Sequence, residues 1–259
     1  MAGIPFFNRI FETLGCTIRW YFQEGQWLSL EEASSNRLVV ATVEGPARQL
    51  LLGERPALNM LARACGIATR ARQLQKLRLQ HGWQGVIAGT RKTTPGFRIV
   101  EKYAMVVGGC DSHRYRIHTS LFRYDLSSMV MLKDNHVNAA GSIASAISKA
   151  KSVAGFSVKI EVECQNEREA EEAIIAGADI VMLDNFKPDQ LAISSASLKS
   201  KFPNNAFLIE GSGGLTLENI TGYFAPSVDI LSFGSLSQSV PHIDFSLKIP
   251  KNAHEYRAR

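Results

Sequence analysis

At 259 residues the chain can bury a full core, as one large α/β domain or as two smaller ones. A composition of 45% hydrophobic and 20% charged residues fits a soluble globular enzyme. The net charge of +5 suits an acidic small substrate as well as a nucleic acid, and no RNA- or DNA-reading motif favours the latter.

Residues 1–66 read as a small first domain. Arg9, Glu12 and Arg19 interrupt its apolar residues, so it holds no signal-peptide core. Phe6–Leu14 has the spacing of an amphipathic helix. Thr17–Phe22 and Arg37–Glu44 read as strands, and Gly25 and Gly45-Pro46 as turns. Arg55–Leu79 reads as a long cationic helix, and Arg63, Arg70, Arg72, Lys76 and Arg78 fit its solvated face. A second domain follows over 67–242, and the tail, 243–259, is expected to pack with the first. Val86–Ala88 is a short strand, and the region near 105–110 offers part of another. From residue 128 short apolar runs alternate with helical patterns. The strands are Ser128–Lys133, Val158–Cys164, Asp179–Asp184, Ala206–Glu210 and Val228–Phe233. The helices are Ser142–Ala154, Glu167–Ala176, Pro188–Lys201 and Leu217–Phe224. Such alternation implies a parallel sheet with right-handed crossovers. It does not separate a barrel from an open doubly wound sheet.

No apolar run approaches the roughly 18 residues of a membrane span. The cysteines, Cys16, Cys65, Cys110 and Cys164, have neither C-x-x-C nor zinc spacing and read as reduced structural thiols of a cytosolic protein.

One strand carries charge. In Val158–Cys164 the period of two puts Lys159, Glu161 and Glu163 on one face and Val158, Ile160 and Val162 on the other. The apolar face must pack on helices, so the charged face is expected to line a barrel lumen, where charges need partners. A solvated edge strand is the plainer alternative, and it fits poorly between two crossover helices.

Residues 89–98, Gly-Thr-Arg-Lys-Thr-Thr-Pro-Gly-Phe-Arg, are the most informative stretch. Arg91, Lys92 and Arg98 stand with three threonine hydroxyls, Thr93 and Thr94 among them, and two glycines and without an acid, as if aimed at an anion. Taken alone, the same string is a basic surface loop. Further ordered blocks accompany it. They are Gly53-Glu54-Arg55 with Leu58-Asn59, Ser112-His113-Arg114-Tyr115, Val130–His136, Glu161–Cys164, Leu183–Pro188 and Gly211–Gly214. Together they resemble the signature of the quinolinate phosphoribosyltransferase family.

The resemblance implies an incomplete (β/α) barrel-like domain plus a smaller α/β sandwich domain, truncated at its N-terminus. It implies transfer of phosphoribosyl from phosphoribosyl pyrophosphate to quinolinate, with Mg2+, giving nicotinate mononucleotide, pyrophosphate and carbon dioxide. Both substrates are polyanions, and the pyridine nitrogen is the nucleophile, so the protein mainly positions anions and stabilises a leaving group. Arg55, Arg91, Lys92, His113, Arg114 and Lys133 form the expected cationic cage. Glu163 and Asp184, at the C-terminal ends of consecutive strands, are the expected metal or ribose partners and, with Lys133, the catalytic set. Ser212, Gly213 and Gly214, ahead of a helix expected at Thr216, offer amides for the 5-phosphate, and Gly234 fits the same late-strand site. Singly, His113 is a structural histidine, His136 caps a turn, and Asp184-Asn185 caps the helix near Pro188.

The resemblance also implies a homodimer or higher homo-oligomer in which Arg55 enters the partner's pocket, a cytoplasmic location, and neither nucleic-acid nor membrane partners. Two departures stand out. Relatives carry further residues before the point matching Met1, and Arg116–Tyr124 intervenes after the His-Arg-Tyr motif, where Arg123-Tyr124 echoes Arg114-Tyr115. These departures define the alternative, a catalytically impaired variant subunit. A different phosphate-binding barrel enzyme, or a related pyridine phosphoribosyltransferase, is a third reading. The paired Arg91-Lys92 and His113-Arg114 suit a diacid better than a monoacid.

Overall fold

The computed structural model describes residues 1–29, 37–112 and 129–250. His113, Arg114 and the 116–124 stretch therefore lie outside the described residues.

Helix α1 (Ile4–Thr13) buries Phe7 and Phe11, one turn apart. The Glu24 carboxylate satisfies its first amides, accepting from Gly3 N at 2.7 Å and Ile4 N at 2.9 Å. Strands β1 (Thr17–Trp20) and β2 (Ala41–Glu44) pair antiparallel beside it. Helix α2 (Ala47–Gln80) runs 34 residues, about 50 Å. It begins a full two turns before the expected Arg55. Pro56 forfeits a helical bond but does not end the helix, because Ala57, Leu58 and Leu61 bury on the same side. Gly53 allows the approach of α1: a Cβ there would lie 2.7 Å from Phe11 Cε1. No linker breaks α2 at residue 66. Arg63 is not on the solvated face; its side chain is 12% exposed. The tail crosses the same helix, with Ile243 N donating to Ala62 O at 3.2 Å.

The rest of the chain builds one parallel sheet from β3 (Val86–Gly89), β4 (Val130–Leu132), β5 (Ile160–Cys164), β6 (Ile180–Asp184), β7 (Leu208–Ser212) and β8 (Ile230–Phe233). The order is β3-β8-β7-β6-β5-β4. The course advances in one direction and the last strand returns to the first. That is the winding of a barrel, not the reversing order of a doubly wound sheet. Crossovers are α3 (Arg98–Val107), α4 (Asp134–Ala140), α5 (Ile143–Ala154), α6 (Glu167–Ile175) and α7 (Pro188–Lys201), with a 3-10 turn at Ile220–Tyr223 between β7 and β8; α8 (Ser235–Gln238) follows the last strand. Asp179 and Asp229 fix the strand starts reciprocally. Each carboxylate accepts the amide of the neighbouring strand's first or second residue, Ile160 at 2.8 Å and Ile209 at 2.7 Å. Each backbone amide donates back to the same residue's carbonyl.

Three expectations are corrected. The region near 105–110 is not a strand: α3 runs to Val107, Gly109 turns the chain at φ +92°, and Asp111 alone bridges to Ala88. Leu217–Phe224 is not an α-helix beyond its short 3-10 turn. The Asn219 side chain accepts from Thr216 N at 2.8 Å and donates to Gly214 O at 2.9 Å, and such local bonds compete with helix formation. Lys159 precedes β5 and is exposed, so it does not enter the lumen. The other two charges of that face do turn inward. Ile160, Val162, Val181, Leu183, Ile209 and Leu231 bury against the helices, whereas Glu161 and Glu210 are fully buried on the opposite face. No helix among the described residues is long and apolar enough to cross a membrane.

Candidate active site

The strand register gathers the site. Asp184, at the end of β6, lies opposite Ser212, at the end of β7, and Ser212 lies opposite Ser232 of β8. On the other side Glu163 pairs in register with Met182. Lys133 follows β4, and its ammonium ion-pairs with Glu163 Oε2. Burial and the Glu163 charge push the Asp184 carboxyl above its ordinary range, opposed by Lys133 and Lys92. The side chains Lys92, Lys133, Glu163 and Asp184 thus act on one volume at the C-terminal rim of the sheet.

Asn185 locks the acid to the glycine turn. Its backbone is left-handed, φ +60°, a conformation that asparagine tolerates. Its Nδ2 donates to Asp184 Oδ2 at 2.6 Å, and its backbone amide donates to Ser212 O at 2.9 Å. Gly213, at φ +97°, packs so tightly that a Cβ would stand 2.2 Å from Asn185 Oδ1. Neither Asp184 nor Asn185 caps α7; the cap residue is Lys187. His136 does close a turn, its Nδ1 accepting from Lys133 N at 3.1 Å.

The cationic loop reaches the same rim from β3. Within it Thr90 Oγ1 accepts from Lys92 N at 3.2 Å, and Arg91 O accepts from Thr93 N at 2.8 Å. Ser237 Oγ donates to Lys92 O at 2.7 Å. Gly234, at the end of β8, faces Lys92: a Cβ on it would lie 3.6 Å from Lys92 Cδ. Arg91 is exposed. Arg55 stays apart on α2, with its side chain 70% exposed and 3.6 Å from Glu54. The glycine turn Gly213-Gly214 offers amides without an α-helix behind it, which corrects the helix expected at Thr216 and leaves the cradle to the turn alone.

Several buried charges were not anticipated. Glu101 on α3 is fully buried, and Lys102, 2% exposed, donates to the Ser112 carbonyl beside the His-Arg motif. Glu101 lies on the stripe of Val100, Ala104 and Met105, and a charge on an apolar stripe was the available signal. Glu210 follows from the alternation Leu208, Glu210, Ser212 along β7.

Among the described residues no three His, Cys, Asp or Glu side chains cluster as a metal site. Two carboxylates at the rim, one destabilised by the other's charge, suit a hard cation that keeps waters or substrate oxygens. A cavity of about 670 Å³ opens at the other end of the sheet, lined by Trp83, Phe224, Leu208 and Ile230 with Asp111 and Asp229. Its acids repel a polyanion, so the cationic rim, not this cavity, is where anion chemistry belongs.

A singly wound parallel barrel with cations, paired acids and a glycine turn at its C-terminal rim defines an enzyme acting on polyanionic small substrates. The chain belongs to the quinolinate phosphoribosyl transferase family. The C-terminal domain of that family matches residues 67–248 and the N-terminal domain residues 1–65. A relative from Dictyostelium discoideum, a nicotinate-nucleotide pyrophosphorylase (carboxylating), is 49% identical, covering 96% of this chain and 83% of its own. The Rattus norvegicus protein of the same name is 50% identical, covering 96% and 78%. The crystal structure of NadC from Streptococcus pyogenes superposes with a TM-score of 0.78 at 35% identity, covering 95% of this chain and 80% of that one. The nicotinate-nucleotide pyrophosphorylase of Francisella tularensis gives 0.78 at 31%, covering 94% and 79%.

Proposed function

We propose that the chain transfers the phosphoribosyl group of phosphoribosyl pyrophosphate to quinolinate, releasing pyrophosphate and carbon dioxide and leaving nicotinate mononucleotide. The observation that carries this is the convergence of Lys92, Lys133, Glu163 and Asp184 on one volume beside the Ser212–Gly214 turn. The pyridine nitrogen bonds to ribose C1 as the C1–pyrophosphate bond breaks, and the 2-carboxylate leaves as carbon dioxide with a proton taking its place. Positive charge grows at C1 and negative charge on the departing pyrophosphate. Arg91, with His113 and Arg114, receives the quinolinate carboxylates. Lys92 and Lys133 stabilise the leaving group, and the glycine turn with Gly234 takes the 5-phosphate.

Glu163 and Asp184 would hold Mg2+, which neutralises phosphate charge when bound. Neither acid needs to act as a nucleophile. Arg55 is proposed to complete the pocket of a second copy in a homo-oligomer. In support, Leu51 and Leu52, one turn before it on α2, are 61% and 64% exposed. A cytoplasmic location agrees with four free, buried cysteines. No observation among the described residues favours a catalytically impaired subunit.

Calorimetry of quinolinate binding to Arg91→Ala tests the pocket. A charge-assisted bond of this kind contributes about 1.5–3 kcal/mol, so the variant should bind quinolinate at least tenfold more weakly and the donor nearly as well as the parent. Equal quinolinate affinity removes Arg91 from the carboxylate pocket.

A further inference from the structure

We infer that Glu101 and Arg63, neither of them at the rim, are positioning residues that set where the Arg91-Lys92 loop stands. Glu101 Oε1 accepts from Arg63 Nη2 at 2.8 Å, Arg63 Nε at 3.1 Å and Thr94 Oγ1 at 2.8 Å. Its second oxygen accepts from Thr94 N at 3.1 Å. Arg63 continues to the carbonyls of Val240, at 3.3 Å, and Ser237. Ser237 closes the ring by donating its hydroxyl to Lys92 O. The loop is therefore gripped on both sides of Thr93, by its backbone at Lys92 and by backbone and hydroxyl at Thr94. Everything it is gripped by leads to one buried ion pair between α2 and α3.

The pair is more than a fastening of two helices. A buried ion pair loses hydration that apolar side chains of the same size do not lose, so α2 and α3 could be joined at least as well by hydrophobic contact. The carboxylate supplies something an apolar residue cannot: acceptors for a loop amide and hydroxyl. The Arg91 and Lys92 side chains make no ion pair among the described residues, so the loop's position rests on these backbone ties. A displacement near 1 Å in a positioning group costs about 100-fold in rate. Because Arg63 belongs to the helix that also carries Arg55, the ring ties the first domain to the substrate loop.

This inference rests on the proposed role of Arg91 in binding quinolinate, and the test separates the two. Steady-state kinetics with quinolinate would compare the full chain with Thr94→Val, Arg91→Ala and the double variant. Thr94 is exposed, and Thr94→Val removes the hydroxyl tie while leaving the Arg63–Glu101 pair and the fold in place. The expected result is a KM for quinolinate raised about tenfold together with a lower kcat, since Lys92 moves with the loop, in a chain that still unfolds in one cooperative transition at a somewhat lower midpoint. The double variant should lose less than the product of the separate effects, because both act through the same loop. A raised KM in Arg91→Ala with a parental KM in Thr94→Val, or effects that simply multiply, overturns the inference alone. A parental KM in Arg91→Ala overturns the substrate reading and the inference with it.

Discussion

Asp184 is held where burial and the Glu163 charge both disfavour its ionised form, and the Lys133 and Lys92 charges only partly oppose them. Its folded pKa therefore lies above the unfolded value, and the folded state binds the proton more tightly than the unfolded chain does. Stability from this group is present at low pH and is lost as pH rises from the ordinary aspartate range through the raised value. The ligand-free Asp184→Asn variant should melt no lower than the parent at neutral pH, with the difference closing in acid, while its turnover falls sharply. Thermal melts across pH check this; a lower midpoint at neutral pH contradicts it. Gly213 gives a second prediction. Gly213→Ala places a methyl 2.2 Å from Asn185 Oδ1 and 2.8 Å from its backbone nitrogen, at φ +97°. Strain of about 1–3 kcal/mol should appear in urea unfolding, with weaker binding of the phosphoribosyl donor. A parental midpoint and affinity would show that the turn has room to spare. The placing of Lys133, Glu163 and Asp184 together was legible because each stands at or next to the C-terminal end of a strand. Arg63 was not, since a buried charge and a solvated one are the same letter in a sequence, and the signal that Glu101 gave, a charge on an apolar stripe, was passed over.

At the scale of elements, legibility followed local signals. Helix α7 was placed at both ends, where Pro188 starts it and the last turn holds Lys199 and Lys201. Helix α2 was started late because Pro56 reads as a beginning, whereas packing of its neighbours against α1 carries the helix through it. Helix α4 was missed: it is short and buries no side chain fully, so it leaves no periodic pattern. The α6–α7 contact supplies a prediction about pH. Glu167 accepts from Lys201 at 2.8 Å and from Ser197 at 2.6 Å, and these bonds, Lys201 first, hold its carboxyl below the usual range. A depressed folded pKa gives stability that is present above the ordinary glutamate value and lost as pH falls through the folded one. Glu167→Gln should flatten the acid side of the stability profile by a small amount, because Lys201 is exposed and its charge is screened. Urea midpoints against pH, at low and high salt, measure it. Parallel parent and variant profiles through the acid range would remove the ion pair from the account.

Across the whole molecule, the alternation of strands and helices was enough to expect a parallel sheet but not its winding. Strand order is a tertiary property, and no local period encodes that β8 returns to β3. The two family matches meet at residue 66, inside α2, and that helix binds the two parts together, with Pro241 packed against Gly66 and the Ile243 amide bonded to the Ala62 carbonyl. The function proposed for this assembly is settled most directly by following the atoms. Purified chain would be incubated with phosphoribosyl pyrophosphate, Mg2+ and quinolinate labelled in its 2-carboxylate, and the products counted. The account predicts nicotinate mononucleotide, pyrophosphate and labelled carbon dioxide in equal amounts, with no product when either substrate is omitted and none after the metal is chelated. Absence of the nucleotide under these conditions, or its formation with the label retained, would contradict it.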